Sequence, residues 1–114
     1  MPIATDTEKN SIIAKYGTDV VAFSLHSADP GTNGANELGG GSPAYGRKAP
    51  AWSAPNAGVI NSQVVFDVPQ NATVAWVGAW SATSGGTFLD KAQVSPQTFS
   101  SQGQYQVNAT ATAA

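Results

Sequence analysis

The chain has one histidine, and it stands in the string Ser24-Leu25-His26-Ser27-Ala28-Asp29. Hydroxyl nucleophiles are activated by a base that takes their proton and by an acid that orients the base. Ser24, His26 and Asp29 supply those three residue types. The G-x-S-x-G turn that exposes a serine at a nucleophile elbow is missing around Ser24. A lone histidine, on the strand face opposite Phe23 and Leu25, reads as an exposed or edge polar residue. The seven carboxylates, Asp6, Glu8, Asp19, Asp29, Glu37, Asp67 and Asp90, show no pairing suited to glycoside hydrolysis. No catalytic residue is assigned, and the chain reads as a non-enzyme.

Two other strings invite a chemical reading. Gly41 to Lys48, GSPAYGRK, has the glycine spacing of a phosphate-binding loop. Its lysine does not follow the second glycine directly, no Ser or Thr comes next, and Pro50 opposes the helix that such a loop must open. Asp29 to Glu37, DPGTNGANE, offers oxygen donors from Asp29, Asn33, Asn36 and Glu37. Calcium takes such ligands, but the spacing is not that of an EF-hand, and Asp-Pro-Gly and Asn-Gly are turn signals. No metal and no other cofactor is expected.

These residues must be held by elements that the pattern of apolar positions defines. Thr5-Asp6-Thr7-Glu8 is a capping box, and Ile12, Ile13 and Tyr16 then share one face, so a helix is expected over 5–16 with Gly17 as its terminator. After Asp19 the period changes to two. Val21 to His26 reads as a half-buried strand with Val21, Phe23 and Leu25 on one face, Tyr45 to Trp52 as an edge strand, and Val59 to Val68 as a strand with Val64, Phe66 and Val68 inward. Pro69-Gln70-Asn71 is a turn. Thr73 to Ala82 reads as a central strand, apolar on both faces, with Val74, Trp76, Gly78 and Trp80 on one side. Ser84-Gly85-Gly86 turns the chain into a return strand from Thr87 that Pro96 breaks, and Tyr105 to Ala113 alternates again. One helix and about six short strands predict an all-β domain over residues 1–114. The expected form is a small antiparallel β-sandwich, jelly-roll-like, or a barrel. Phe23, Leu25, Phe66, Trp76, Trp80 and Phe88 are its expected core anchors.

Residues 29–43 form a long Gly-rich loop between these elements. Loops of that length are uncommon in compact domains unless they serve a function or are disordered. Its Gly and Asn content makes it costly to order alone. It is therefore read as a docking or oligomer-contact arm, mobile in the free protein. Asp29, Asn33, Asn36, Glu37, Tyr45, Arg47, Trp52 and Tyr105 are the interface candidates.

Only 11% of residues are charged and the net charge is −2, against about 25% charged in typical domains. Five scattered Lys and Arg cannot form the basic stripe of a nucleic-acid binder. The absence of cysteine removes disulfides and thiol chemistry. MPIATDTEKN lacks the pattern of a signal peptide, and no apolar run reaches the length of a membrane span. Neither nucleic acid nor a membrane is expected as a partner. The alternating final segment, YQVNATATAA, carries small side chains that let a strand lie against a neighbouring backbone. Attachment through apolar contact and backbone pairing is expected, with few ion pairs.

Several strings together resemble a known group. They are Ser24-Leu25-His26-Ser27-Ala28-Asp29-Pro30-Gly31, Gly34-Ala35-Asn36-Glu37, Gly41-Ser42-Pro43-Ala44-Tyr45-Gly46-Arg47, Phe66-Asp67-Val68-Pro69, Gly78-Ala79-Trp80-Ser81 and Gly85-Gly86-Thr87-Phe88. They look like small tailed-phage virion proteins whose pattern is close to LHTADPG-TGANE-GGSYAR, then FDVP and GLWSA-GGTF. This chain departs from the pattern by Pro43 and by its Thr/Ala tail. The resemblance implies a non-enzymatic structural component of the phage particle, assembled in the bacterial host cytoplasm. Its partners would be the major capsid protein or other virion proteins. It would form a homo-oligomer, a trimer among the expected forms. Members carry tail-fibre, minor tail or head-surface labels. The sequence shows no coiled coil or repeat to build length, so a capsid-surface decoration protein at subunit junctions is the expected role. The alternative is a minor tail or tail-fibre protein that binds the host, with Trp52 or Trp80 against glycan.

Overall fold

The computed structural model describes residues 3–113. Met1, Pro2 and Ala114, part of the expected 1–114 domain, lie outside them. The element order is α1 (Asp6–Asp19), β1 (Ala22–His26), β2 (Val59–Val68), β3 (Thr73–Trp80), β4 (Phe88–Thr98) and β5 (Gly103–Thr112). The strands make two separate antiparallel sheets, one in the order β1-β3-β4 and one of β2 with β5. They do not close into the barrel given as one alternative. Among the described residues, no helix is long and apolar enough to cross a membrane.

The helix starts where the capping box places it, with Thr5 Oγ1 accepting from the Glu8 backbone N–H at 3.3 Å. It does not stop at Gly17. It continues to Asp19, because Gly17 is used for close approach: a Cβ there would lie 3.1 Å from Ile60 and 3.4 Å from Trp52. Ile13 is buried with Ile60 and Ala113, while Ile12, expected on the same buried face, is exposed.

Alternation fixes β2 as read. Ile60, Ser62, Val64, Phe66 and Val68 are buried and the residues between them are not. β2 pairs with β5 along its whole length, from Val59 with Thr112 to Val68 with Gly103. The main core draws on both sheets: Phe23, Leu25, Val74 and Ala79 from one, Val64, Phe66, Val68 and Val107 from the other.

Four strand expectations need correction. Val21 lies before β1 and is exposed rather than sharing the face of Phe23 and Leu25. Tyr45 to Trp52 is not a strand; apart from an isolated bridge between Lys48 and Phe23 it is irregular. β4 runs through Pro96 to Thr98, which an edge strand tolerates because one row of its N–H groups has no ladder to join. Val74 does not share a face with Trp76 and Trp80. It joins the core with Ala79, and the β3–β4 register shifts between Val74 and Trp76, as an irregularity in a ladder reassigns side chains to the other face.

Candidate functional site

The long loop is folded onto the molecule rather than extended from it. The Ser27 N–H donates to the Asn36 carbonyl at 3.0 Å, and the Leu38 N–H donates to the Leu25 carbonyl at 3.0 Å. The loop thereby covers the face of the three-stranded sheet that points away from β2 and β5. This explains why β1 is buried at every position, from Ala22 to His26. The mobile arm expected from composition is thus backbone-bonded to β1.

Beneath the loop lies a chain of polar groups. Trp80 Nε1–H donates to Ser24 Oγ at 2.8 Å. Ser24 Oγ and His26 Nε2 are 2.6 Å apart, and His26 Nδ1 is 2.7 Å from the Ala35 carbonyl oxygen. A carbonyl can only accept, so the proton sits on Nδ1, and the Ser24 hydroxyl donates to Nε2. Burial is the main cause that holds the imidazole below its ordinary pKa; the Ala35 carbonyl and Glu37 pull the other way, and Arg47 adds to the lowering. The neutral ring suits the direction of these bonds.

The Ser24–His26 distance is that of a nucleophile and its base, yet both residues are 0% exposed. The expectation that His26 is an exposed or edge residue is corrected: it is among the most buried side chains. Gly78 makes the pair possible. A Cβ at that position would stand 2.5 Å from Ser24 Oγ, 2.7 Å from His26 Nε2 and 2.8 Å from Phe88.

Arg47 clamps the loop to the sheet. Its Nε and Nη2 donate to the two oxygens of Glu37, each at 3.0 Å. Nη1 donates to the carbonyls of Ala82 and Gly85, and the guanidinium lies 3.7 Å from the centre of a Trp80 ring. Bidentate pairing with stacking is what a planar guanidinium does and an ammonium does not. The Tyr45 hydroxyl donates to Glu37 at 2.8 Å and accepts from the Leu25 N–H at 2.9 Å. Burial, foremost, pushes its pKa up.

The interface candidates therefore fall in several places. Glu37, Tyr45 and Arg47 meet in the clamp. Asp29 lies at the loop's start, where it accepts from Lys91 Nζ at 2.7 Å, and Asn36 donates to the Asp29 carbonyl. Asn33 is exposed on the loop. Trp52 stands apart, packed edge-on against Phe23 and Tyr16. Tyr105 is at the far end of the core beside Phe99. Of the core anchors, Phe23, Leu25, Phe66 and Trp80 are buried. Trp76 and Phe88 are only half-buried; Trp76 lies near Lys91 and Phe88 near Trp80.

One feature was only partly legible in the sequence, through the small side chains of the final segment. A groove of about 290 Å³ opens between β4 and β5, walled by Ala92 and Val94 on one side and by Val107, Ala109 and Ala111 on the other. At the helix end Tyr16 donates to Asp90 Oδ2 at 2.7 Å. Trp52 also lines the groove, and its Nε1 is buried without a hydrogen-bond partner.

The loop thus seals the Ser24–His26 pair, and a groove stays open between the edges of β4 and β5. Residues 15–114 match the family model described as podophage GP4 fiber I protein gp80. The chain belongs to that family, a phage virion family of the tail-fibre type. No curated protein matches the chain. The fibre family favours the tail-fibre alternative over capsid decoration. The missing repeat or coiled coil in one chain had pointed the other way, but it does not limit a fibre made of several chains.

Proposed function

We propose that the chain is a non-enzymatic structural subunit of a podophage tail fibre, folded as a small open β-sandwich and held to other virion proteins by apolar and backbone contacts. The family match over residues 15–114 carries this reading. The structure supports it in two ways. The residues with acid–base chemistry, Ser24 and His26, are spent on holding the loop, with both ring nitrogens of His26 engaged. The aromatic candidates for a glycan platform are spent as well: Trp80 is buried under Arg47, and Trp52 is wedged between Tyr16 and Phe23.

Labelling of this protein on intact particles tests the proposal. Label on the tail fibres is the expected result. Label confined to the head would contradict it and restore the decoration role.

A further inference from the structure

The two long sides of the body are finished differently. On the side of β1 and β2, residues 48–53 cross from one sheet to the other. Lys48 exchanges two backbone hydrogen bonds with Phe23 of β1, and the Ser53 N–H donates to the Asn61 carbonyl of β2. On the opposite side β4 pairs only with β3, and β5 only with β2. No described residue pairs with the outer edge of either strand. These edges are eleven and ten residues long, and the apolar groove lies between them. Long unpaired edges are normally blocked, covered or used.

We infer that this side is an interface between copies of the chain, in which a second copy lays its own β4 and β5 edges along the first and closes the groove. This rests on the edges and the groove and stands whether or not the fibre reading holds.

Three observations point to a second copy rather than to an unlike partner. The contact can be self-complementary, as a two-fold interface must be. A two-fold axis at Ala92 sets Ala92 opposite its equivalent, Lys91 opposite the second copy's Gln93, and Asp90 opposite the second copy's Val94. No like charges stand directly opposite each other, and β5 contributes none, since GQYQVNATAT has no charged residue. The area is also sufficient. The body measures 47 by 23 by 23 Å, so contact along one long side can cover up to about 1,000 Å² per partner, against about 800 Å² in a standard interface. Finally, Ala92 and Val94 of β4 and Val107, Ala109 and Ala111 of β5 give both walls small or apolar side chains beside the polar Asp90, Asn108 and Thr110, and Asp90 already accepts a hydrogen bond from Tyr16.

The chain has no cysteine, which allows a direct test. Antiparallel partners have Cα atoms about 4.5–5.5 Å apart, within reach of a disulfide. Ala92→Cys is therefore expected to give a covalent dimer on mild oxidation of the full-length protein. Gln63→Cys, exposed on the outer face of the other sheet, should not cross-link under the same oxidation. Sedimentation equilibrium of the unmodified protein should show concentration-dependent self-association. Ala92→Glu, which sets two carboxylates face to face at an exposed position, should weaken it at least tenfold while circular dichroism is unchanged. Three outcomes would each overturn the inference: a wild-type chain that stays monomeric, an Ala92→Glu variant that associates as tightly as the wild type, or Ala92→Cys cross-linking no better than Gln63→Cys.

Discussion

The loop-covered face of the three-stranded sheet and the open side between β4 and β5 differ in how their polar groups are satisfied. Under the loop every polar group described above has an internal partner, and Trp80, Ser24 and His26 are sealed. Along β4 and β5 the backbone edges and an apolar groove are left to solvent. The conspicuous Gly- and Asn-rich segment is fastened to the sheet through backbone bonds and Arg47. The contact between copies inferred above lies instead on β4 and β5, two strands without glycine-rich or turn-forming runs. Unusual composition marks where the backbone is constrained, which need not be where a partner binds.

The contrast can be broken most forcefully at Trp80. Trp80→Ala removes the ring beneath Arg47 and the donor to Ser24. It should cost about 3–5 kcal/mol in urea unfolding; a loss near that of a surface substitution would mean that the loop is not fastened there. Arg47→Ala should cost about 3 kcal/mol, because it strands the Glu37 carboxylate beneath the loop. Arg47→Lys should rescue little of it, since an ammonium offers neither the fork nor the stack.

A smaller effect is expected from pH. Burial keeps the folded His26 pKa below the ordinary 6.5, so the unfolded chain takes up a proton at pH values where the folded chain does not. This contribution to stability is complete above the unfolded value. It should decline as pH falls through that value, by at most about 1.4 kcal/mol per pH unit, and level off once the folded ring also titrates. Unfolding midpoints measured across this range for the wild type and for His26→Gln check it; the variant should lose that pH dependence. The smallest effect is expected at Asp29, whose exposed carboxylate is held below its usual pKa first by the Lys91 hydrogen bond. Asp29→Asn should leave the unfolding midpoint nearly unchanged, as exposed ion pairs contribute little. A large shift would move the loop's anchor from Arg47 to its start.

Much of this fold was legible because it follows local periodicity. The β2 strand was readable from its alternating residues, and the helix start from Thr5 and Glu8. The Ser84-Gly85-Gly86 turn was readable as well, with Gly85 and Gly86 both at positive φ. What was not legible depends on contacts distant in sequence. The continuation of the helix through Gly17 is set by Ile60 and Trp52, and the burial of His26 by Ala35 and Trp80. The roles of Glu37 and Arg47 follow from their convergence on Trp80, which no spacing rule encodes. Of the groove only the small side chains of its β5 wall were readable, since an unpaired edge is defined by what fails to lie beside it.

Hydrogen exchange of the full-length protein in dilute solution, resolved by residue and repeated on particles, tests the division between sealed face and open side most directly. The account predicts that the amides of Ser27 and Leu38 are protected already in the free chain. The outward amides of β4 and β5 should exchange quickly there and become protected only on assembly. Fast exchange at Ser27 and Leu38 in the free chain, with outward β4 and β5 amides that stay unprotected on the particle, would contradict it.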